Sequence, residues 1–145
     1  MGVYSNTEIE QAIADGHIVF YPYQKNHING SSVDVTLGEW FYRTDRKSEF
    51  ATYNPFDKSE VDKYFGTPQQ AITHSEWCQQ NDATPFANIP ADHPIIVLEP
   101  NERILAHTHE FIGIKPPGTT SMQSRSTWGR NGVAVCFDAG WGDPG

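Results

Sequence analysis

The chain has 145 residues, a mass of 16.3 kDa and a formal net charge of −8. That length suits one domain with its own core, and 37% hydrophobic and 12% aromatic content exclude intrinsic disorder. No run of about 18 apolar residues could span a bilayer, the acidic balance argues against a general nucleic-acid binder, and two cysteines, Cys78 and Cys136, cannot make a disulfide framework or a Cys-x-x-Cys site.

The N-terminus, Met1-Gly2-Val3-Tyr4-Ser5-Asn6, has neither a basic nor an apolar leader region. The expectation is a protein of a reducing compartment, the cytoplasm. Ser5-x-x-Glu8 fits a capping box with Tyr4 and Ile9 at the staple positions. Ile9, Ala12 and Ile13 make the apolar stripe of a short helix, and Gly16 stops it. His17 to Tyr21 reads as a strand ended by Pro22, and Asn29-Gly30 marks a turn. Ser32 to Leu37 alternates with period two, which predicts a strand with Val33, Val35 and Leu37 on one face, broken by Gly38. Trp40-Phe41-Tyr42 is the next strand.

Residues 44–93 are polar and punctuated by Pro55, Pro68, Pro85 and Pro90. Helical turns are predicted over Lys58 to Phe65 and over Gln69 to Gln80, within an elaborated connection of a single domain spanning 1–145. Strand signals return at Ile95 to Leu98, over Arg103 to Ile114 as far as Pro116-Pro117-Gly118, and at Val133 to Phe137. Short strands, frequent Gly/Pro turns and one clear helix predict a mainly-β barrel or jelly roll.

His107 and His109 share one face of their strand, as metal ligands would. Glu110 falls on the opposite face and Gly113 stands where a further ligand would be, so two ordinary histidines is the preferred reading over a metal-dependent cupin-like site. A zinc deaminase would need His-x-Glu and Pro-Cys-x-x-Cys, and the chain has neither. There is no phosphate-binding Gly-rich loop of the P-loop or Gly-x-Gly-x-x-Gly type.

Residues 116–145 carry Arg125 and Arg130 against Asp138 and Asp143, so this segment is neutral in an acidic chain. Ser124-Arg125-Ser126-Thr127-Trp128-Gly129-Arg130-Asn131-Gly132 offers two guanidinium forks and three hydroxyls, groups suited to phosphate oxygens. Asp138-Ala139-Gly140-Trp141-Gly142-Asp143-Pro144-Gly145 then places a carboxylate at a Pro-Gly turn.

This run resembles the dCTP deaminase branch of the trimeric dUTPase superfamily. Members carry Arg-Ser-Ser/Thr-x-x-Arg-x-Gly, then Ala-Gly-x-x-Asp-Pro-Gly. Arg125-Ser126-Thr127, Arg130-Asn131-Gly132 and Ala139 to Gly145 match that pattern and its spacing. Ser32-Val33-Asp34-Val35-Thr36-Leu37-Gly38 is similar to the family's Ser-Val-Asp-x-x-Leu-Gly segment. The match covers roughly residues 4–43 and 94–145.

The resemblance implies a distorted β-barrel of the dUTPase-like type, with a short N-terminal helix and small helical insertions. It further implies a homotrimer with sites between subunits, and zinc-independent hydrolysis of dCTP to dUTP and ammonia. Arg125 and Thr127 would contact the triphosphate, with Mg2+ held through the phosphates. Ser126 and Arg130 would position the attacking water at the cytosine C4. Ala139 would meet the base, and Asp143 the deoxyribose. The alternatives are a dUTP pyrophosphatase, a bifunctional enzyme doing both steps, and a non-catalytic nucleotide-binding trimer or fragment. The dUTPases carry a different, Asp-x-x-Tyr turn, which favours the deaminase. The family's general-base glutamate follows the Asp-Pro-Gly turn, and Glu99, Glu102 and Glu110 all precede that turn. The expectation is therefore a member truncated before its general base and inactive as given.

Overall fold

The computed structural model describes residues 2–44, 52–136 and 139–145. In chain order the elements are α1 (Asn6–Ala14), β1 (Ile18–Tyr21), a 3-10 turn (Lys25–His27), β2 (Ile28–Asn29), β3 (Ser32–Val33) and β4 (Leu37–Arg43). Next come α2 (Lys58–Phe65), β5 (Gln69–Gln70), β6 (Ile72–Thr73), α3 (His74–Asn81), β7 (Pro94–Ile95) and β8 (Ile104–Thr108). The last are β9 (Phe111–Ile114), β10 (Thr120–Ser121), α4 (Ser126–Arg130) and β11 (Trp141–Gly142). They form two compact units, Met1–Val35 with Glu110–Gly145, and Thr36–His109.

In the first unit, Ser5 caps α1 by the predicted reciprocal box with Glu8. The helix packs on β1 and β2. Among the described residues, Ile9, Phe20, Ile28 and Ile114 are the buried apolar side chains here, one each from α1, β1, β2 and β9. Each such burial contributes about 1.5–3 kcal/mol. β1 pairs antiparallel with β9, Ile18 opposite Ile114 and Tyr21 opposite Phe111. β2 and β3 form a hairpin with Asn29 opposite Ser32, so Gly30-Ser31 is its two-residue turn, with Gly30 at φ 59°. β10 pairs with β11.

In the second unit, β4 lies between β5 and β8. Phe41 and Cys78 are buried, and His74 is 1% exposed. Arg43 ties the strands to the following loop: it pairs with Glu102, donates to Gln69 at 3.2 Å and to the Val97 carbonyl at 2.8 Å. Asp57 caps α2 by accepting from the Ser59 and Glu60 N–H groups. Thr73 and Glu76 form a second capping box on α3.

Several sequence expectations are corrected. The composition of structure is mixed, about a quarter helix and a quarter strand. The described ladders have two or three strands and none of them closes, an arrangement compatible with a dUTPase-like fold. The strand predicted over Ser32 to Leu37 ends at Val33, and Leu37 is exposed. The Asp34 N–H still donates to the His27 carbonyl at 2.8 Å, but the His27 N–H turns to the Gln24 carbonyl and the Asp34 carbonyl meets the His27 ring, so the reciprocal bond that would extend the ladder is not made. Gly38 does not break β4 but lies at an irregularity between Leu37 and Phe41. Gln69 to Gln80 is two short strands followed by a helix, because the Thr73 cap starts the helix only at His74. Ile95 to Leu98 keeps only Ile95 in a ladder. Arg103 to Ile114 divides into β8 and β9 in separate units. Val133 to Cys136 is not a strand. Phe137 and Asp138, parts of the motif reading, lie outside the described residues.

Candidate functional site

The Arg125 to Gly132 motif becomes a single compact helical turn. Arg125 is the N-cap of α4, with extended backbone (φ −62°, ψ 144°), so its side chain leaves the chain just before the helix begins. Ser126 and Arg130, four apart on α4, fall on one side of it. Asn131 secures the helix from behind, its Nδ2 donating to the Thr127 carbonyl at 2.9 Å. Gly132 then takes φ 76°. Its N–H donates to the Gly129 carbonyl, and the Val133 N–H to the Trp128 carbonyl at 3.0 Å. That is a Schellman stop, and the left-handed residue it requires explains a glycine at the motif's last position.

Arg125 does not stand free. Its Nε donates to Asp34 Oδ1 at 3.0 Å, and its Nη2 bonds Asp34 Oδ2. This bidentate pair joins the two sequence blocks, Ser-Val-Asp and Arg-Ser-Thr, within one unit. Asp34 is itself fixed. Asn29 Nδ2 donates to its Oδ2 at 3.2 Å. His27 exchanges two bonds with its backbone: the Asp34 N–H donates to the His27 carbonyl at 2.8 Å, and His27 Nδ1 lies 3.1 Å from the Asp34 carbonyl, to which it donates. The His27 ring rests beside Phe20, and its Nδ1 is 3.9 Å from the carboxylate of Glu110, a buried residue.

The Ala139 to Gly145 segment is held from two sides. β11 pairs with β10, Trp141 opposite Ser121. The Met122 N–H donates to the Gly140 carbonyl at 2.5 Å, and the Thr119 hydroxyl donates to the Gly142 carbonyl at 2.6 Å. A Cβ on Gly140 would sit 2.6 Å from the Met122 carbonyl oxygen, so the close backbone approach demands glycine. The Ala139 N–H is spent on the Cys136 carbonyl at 2.7 Å. Beyond Asp143, the Gly145 N–H donates to the Ile114 carbonyl at 3.2 Å, laying the turn against β9.

Of the predicted site residues, Arg125, Ser126, Thr127 and Arg130 thus stand together at α4, while Ala139 and Asp143 stand on the segment anchored to β10 and β9. All six are exposed. Asp34 carried no role in the sequence reading: it occupies a regular polar position of the period-two alternation, and its one signal was its place in the Ser-Val-Asp-x-x-Leu-Gly segment. Asn29 and His27 were not singled out. His107 and His109 belong to the other unit. The His107 ring lies against Gly38, where a Cβ would meet it, and His107 Nδ1 is 2.6 Å from the Thr108 carbonyl. Among the described residues no group of three His, Cys, Asp or Glu side chains is placed to hold a metal ion.

Comparison with known proteins gives one consistent result. A sequence model of the dCTP deaminase-like family matches residues 3–145. A dUMP-forming dCTP deaminase of Acidothermus cellulolyticus is 28% identical over 141 residues, covering 97% of this chain and 62% of its own length. One of Methanothermobacter thermautotrophicus is 30% identical over 149 residues, covering 100% of this chain and 64% of its own. One of Methanopyrus kandleri is 28% identical over 150 residues. The chain therefore spans a little over three fifths of the length of the first relatives it matches.

Proposed function

The chain belongs to the dCTP deaminase-like family, and from that premise we propose that it binds dCTP through the α4 turn and serves its zinc-independent hydrolytic deamination. The observation that carries this reading is the Asp34–Arg125 pair, which fixes an arginine at the N-cap of α4, next in sequence to Ser126 and Thr127. A fork and hydroxyls set on exposed backbone suit the oxygens of a polyphosphate.

In this reading Arg125 and Thr127 take the triphosphate. Ser126 and Arg130 hold the water that adds to C4. Arg130 remains protonated, so it orients that water and stabilises developing charge and does not take the proton. Ala139 lies against the base and Asp143 against the deoxyribose. Asp34 engages Arg125 and Asn29, so the residues here fit a Mg2+ ligated by phosphate oxygens and water, with no protein carboxylate required. The ion would screen the phosphate charge. The general-base role is assigned to no residue of this chain. A distorted β-barrel subunit, a single domain and a homotrimer complete the reading and rest on family membership. Both cysteines are free, which fits the cytoplasm.

The relatives' names, dUMP-forming, favour the bifunctional alternative over release of dUTP. That reaction consumes two waters: one displaces ammonia at C4, and one displaces pyrophosphate at the α-phosphorus. Incubation with dCTP and Mg2+, with ammonia, pyrophosphate, dUTP and dUMP all quantified, tests it. Ammonia matched by pyrophosphate and dUMP supports the two-step reading, and ammonia with dUTP supports deamination alone. Pyrophosphate release from dUTP with no ammonia from dCTP would replace both with a dUTP pyrophosphatase. Tight dCTP binding without any product would leave a nucleotide-binding module.

A further inference from the structure

We propose that Asp34 is a positioning residue for the triphosphate: it grips Arg125 side-on and aims the remaining edge of the guanidinium at the phosphates. This rests on the reading that the α4 turn binds dCTP. A guanidinium has five N–H donors in a rigid plane. Asp34 takes the Nε–H and one Nη2–H, which form the side edge. The end edge, formed by Nη1 and the second Nη2–H, remains, on a side chain 63% exposed. It is a second fork, of the spacing that receives two oxygens of one phosphate.

The grip is itself anchored. Asn29 fixes the Asp34 carboxylate, and His27 fixes the Asp34 backbone at both its N–H and its carbonyl. A long, exposed arginine loses side-chain entropy when an anion immobilises it. Here Asp34 imposes that ordering before the nucleotide arrives. Simple electrostatics gives the opposite expectation, because a carboxylate beside a phosphate site repels the phosphate. The sign of one substitution therefore decides between the two.

Asp34→Asn removes the grip. Its amide keeps one acceptor oxygen and turns an NH2 group toward a guanidinium that can only donate. Two measurements read the result. In the ligand-free chain, the Arg125 Nε–H resonance exchanges slowly with water in the wild type and becomes fast in Asp34→Asn. A fast-exchanging wild-type resonance overturns the grip whether or not any nucleotide binds.

In calorimetric titration with dCTP and with inorganic tripolyphosphate, Asp34→Asn weakens both by about fivefold or more. The same change made in an Arg125→Ala background costs nothing further, and Asp34→Glu recovers part of the affinity. Tighter or unchanged binding by Asp34→Asn, with Arg125→Ala weakening it, overturns the positioning role and leaves the functional reading standing. An equal loss in the Arg125→Ala background makes Asp34 merely structural and also overturns it. A slow Nε–H with no dCTP or tripolyphosphate binding by the wild type overturns the functional reading, and the anion half of this proposal with it.

Discussion

An alanine Cβ at Gly140 would meet the Met122 carbonyl oxygen at 2.6 Å, and that atom is backbone that cannot swing aside. At Gly129, on α4, a Cβ would meet nothing within 4 Å. The two substitutions should act with opposite signs. Gly140→Ala separates β10 from the turn that carries Asp143, and should destabilise by about 1–3 kcal/mol. Gly129→Ala should stabilise by up to about 1 kcal/mol through helix propensity. Thermal melts of both variants check this; a neutral Gly140→Ala would mean that the Met122–Gly140 approach does not hold in solution. Gly132 entered the sequence reading as a motif position only, although a left-handed helix stop has a residue signature. The partner of Arg125 could not be read from the sequence, because Asp34 lies 91 positions earlier and pairing over that distance leaves no local pattern.

Three of the helices start on side-chain caps whose carboxylates are held below their ordinary range. For Glu8 and Glu76 the causes are hydrogen bonds from Ser5 and from Thr73. For Asp57 they are bonds from the Ser59 hydroxyl and the Ser59 and Glu60 N–H groups. A lowered folded-state pKa means that the ionised form is favoured by folding. The stabilisation is complete above the ordinary carboxylate pKa of about 4 and is lost as pH falls through the folded values. Acid should therefore fray α1, α2 and α3 from their N-termini, seen as loss of helical circular dichroism below about pH 4. The triple change Glu8→Gln, Asp57→Asn, Glu76→Gln should flatten that pH dependence, and an unchanged acid limb would contradict the assignment.

The Ser5 box was legible because the apolar stripe follows it directly. The Thr73 box has the same spacing, but the polar stretch before it carries no period to separate strand from helix. His74 is a further element-scale feature that no motif announced. Its Nε2 accepts from the Phe86 N–H at 3.2 Å and its Nδ1 lies 3.1 Å from the Ile89 carbonyl, so it pins the loop after α3. His74→Ala leaves both groups unpaired, at about 1–3 kcal/mol each. The Phe86 amide should lose its protection in hydrogen exchange, and retained protection would show that the loop holds without His74.

Across the whole chain, two motif blocks separated by some ninety residues proved more informative than the strand count. They identified the family, whereas the strand pattern predicted ladders that short pairings such as β6–β7 and β10–β11 do not extend. The reason is physical: a strand needs a partner, and Ile96 to Leu98 and Val133 to Val135 carry strand-forming residues that join no ladder among the described residues. The proposed homotrimer has a direct test. Light scattering should give three times the 16.3 kDa chain mass at high concentration, and a monomer throughout the range, with and without dCTP, would remove it.

The central claim is that the α4 turn binds the nucleotide through Arg125. Calorimetric titration of dCTP with Mg2+ into the wild type, Arg125→Ala and Arg103→Ala tests it most directly. The account predicts saturable binding by the wild type, a loss of about 2 kcal/mol or more for Arg125→Ala, and little change for Arg103→Ala, which lies outside the motif. Equal losses from the two substitutions, or no dCTP binding by a folded wild-type chain, would contradict it.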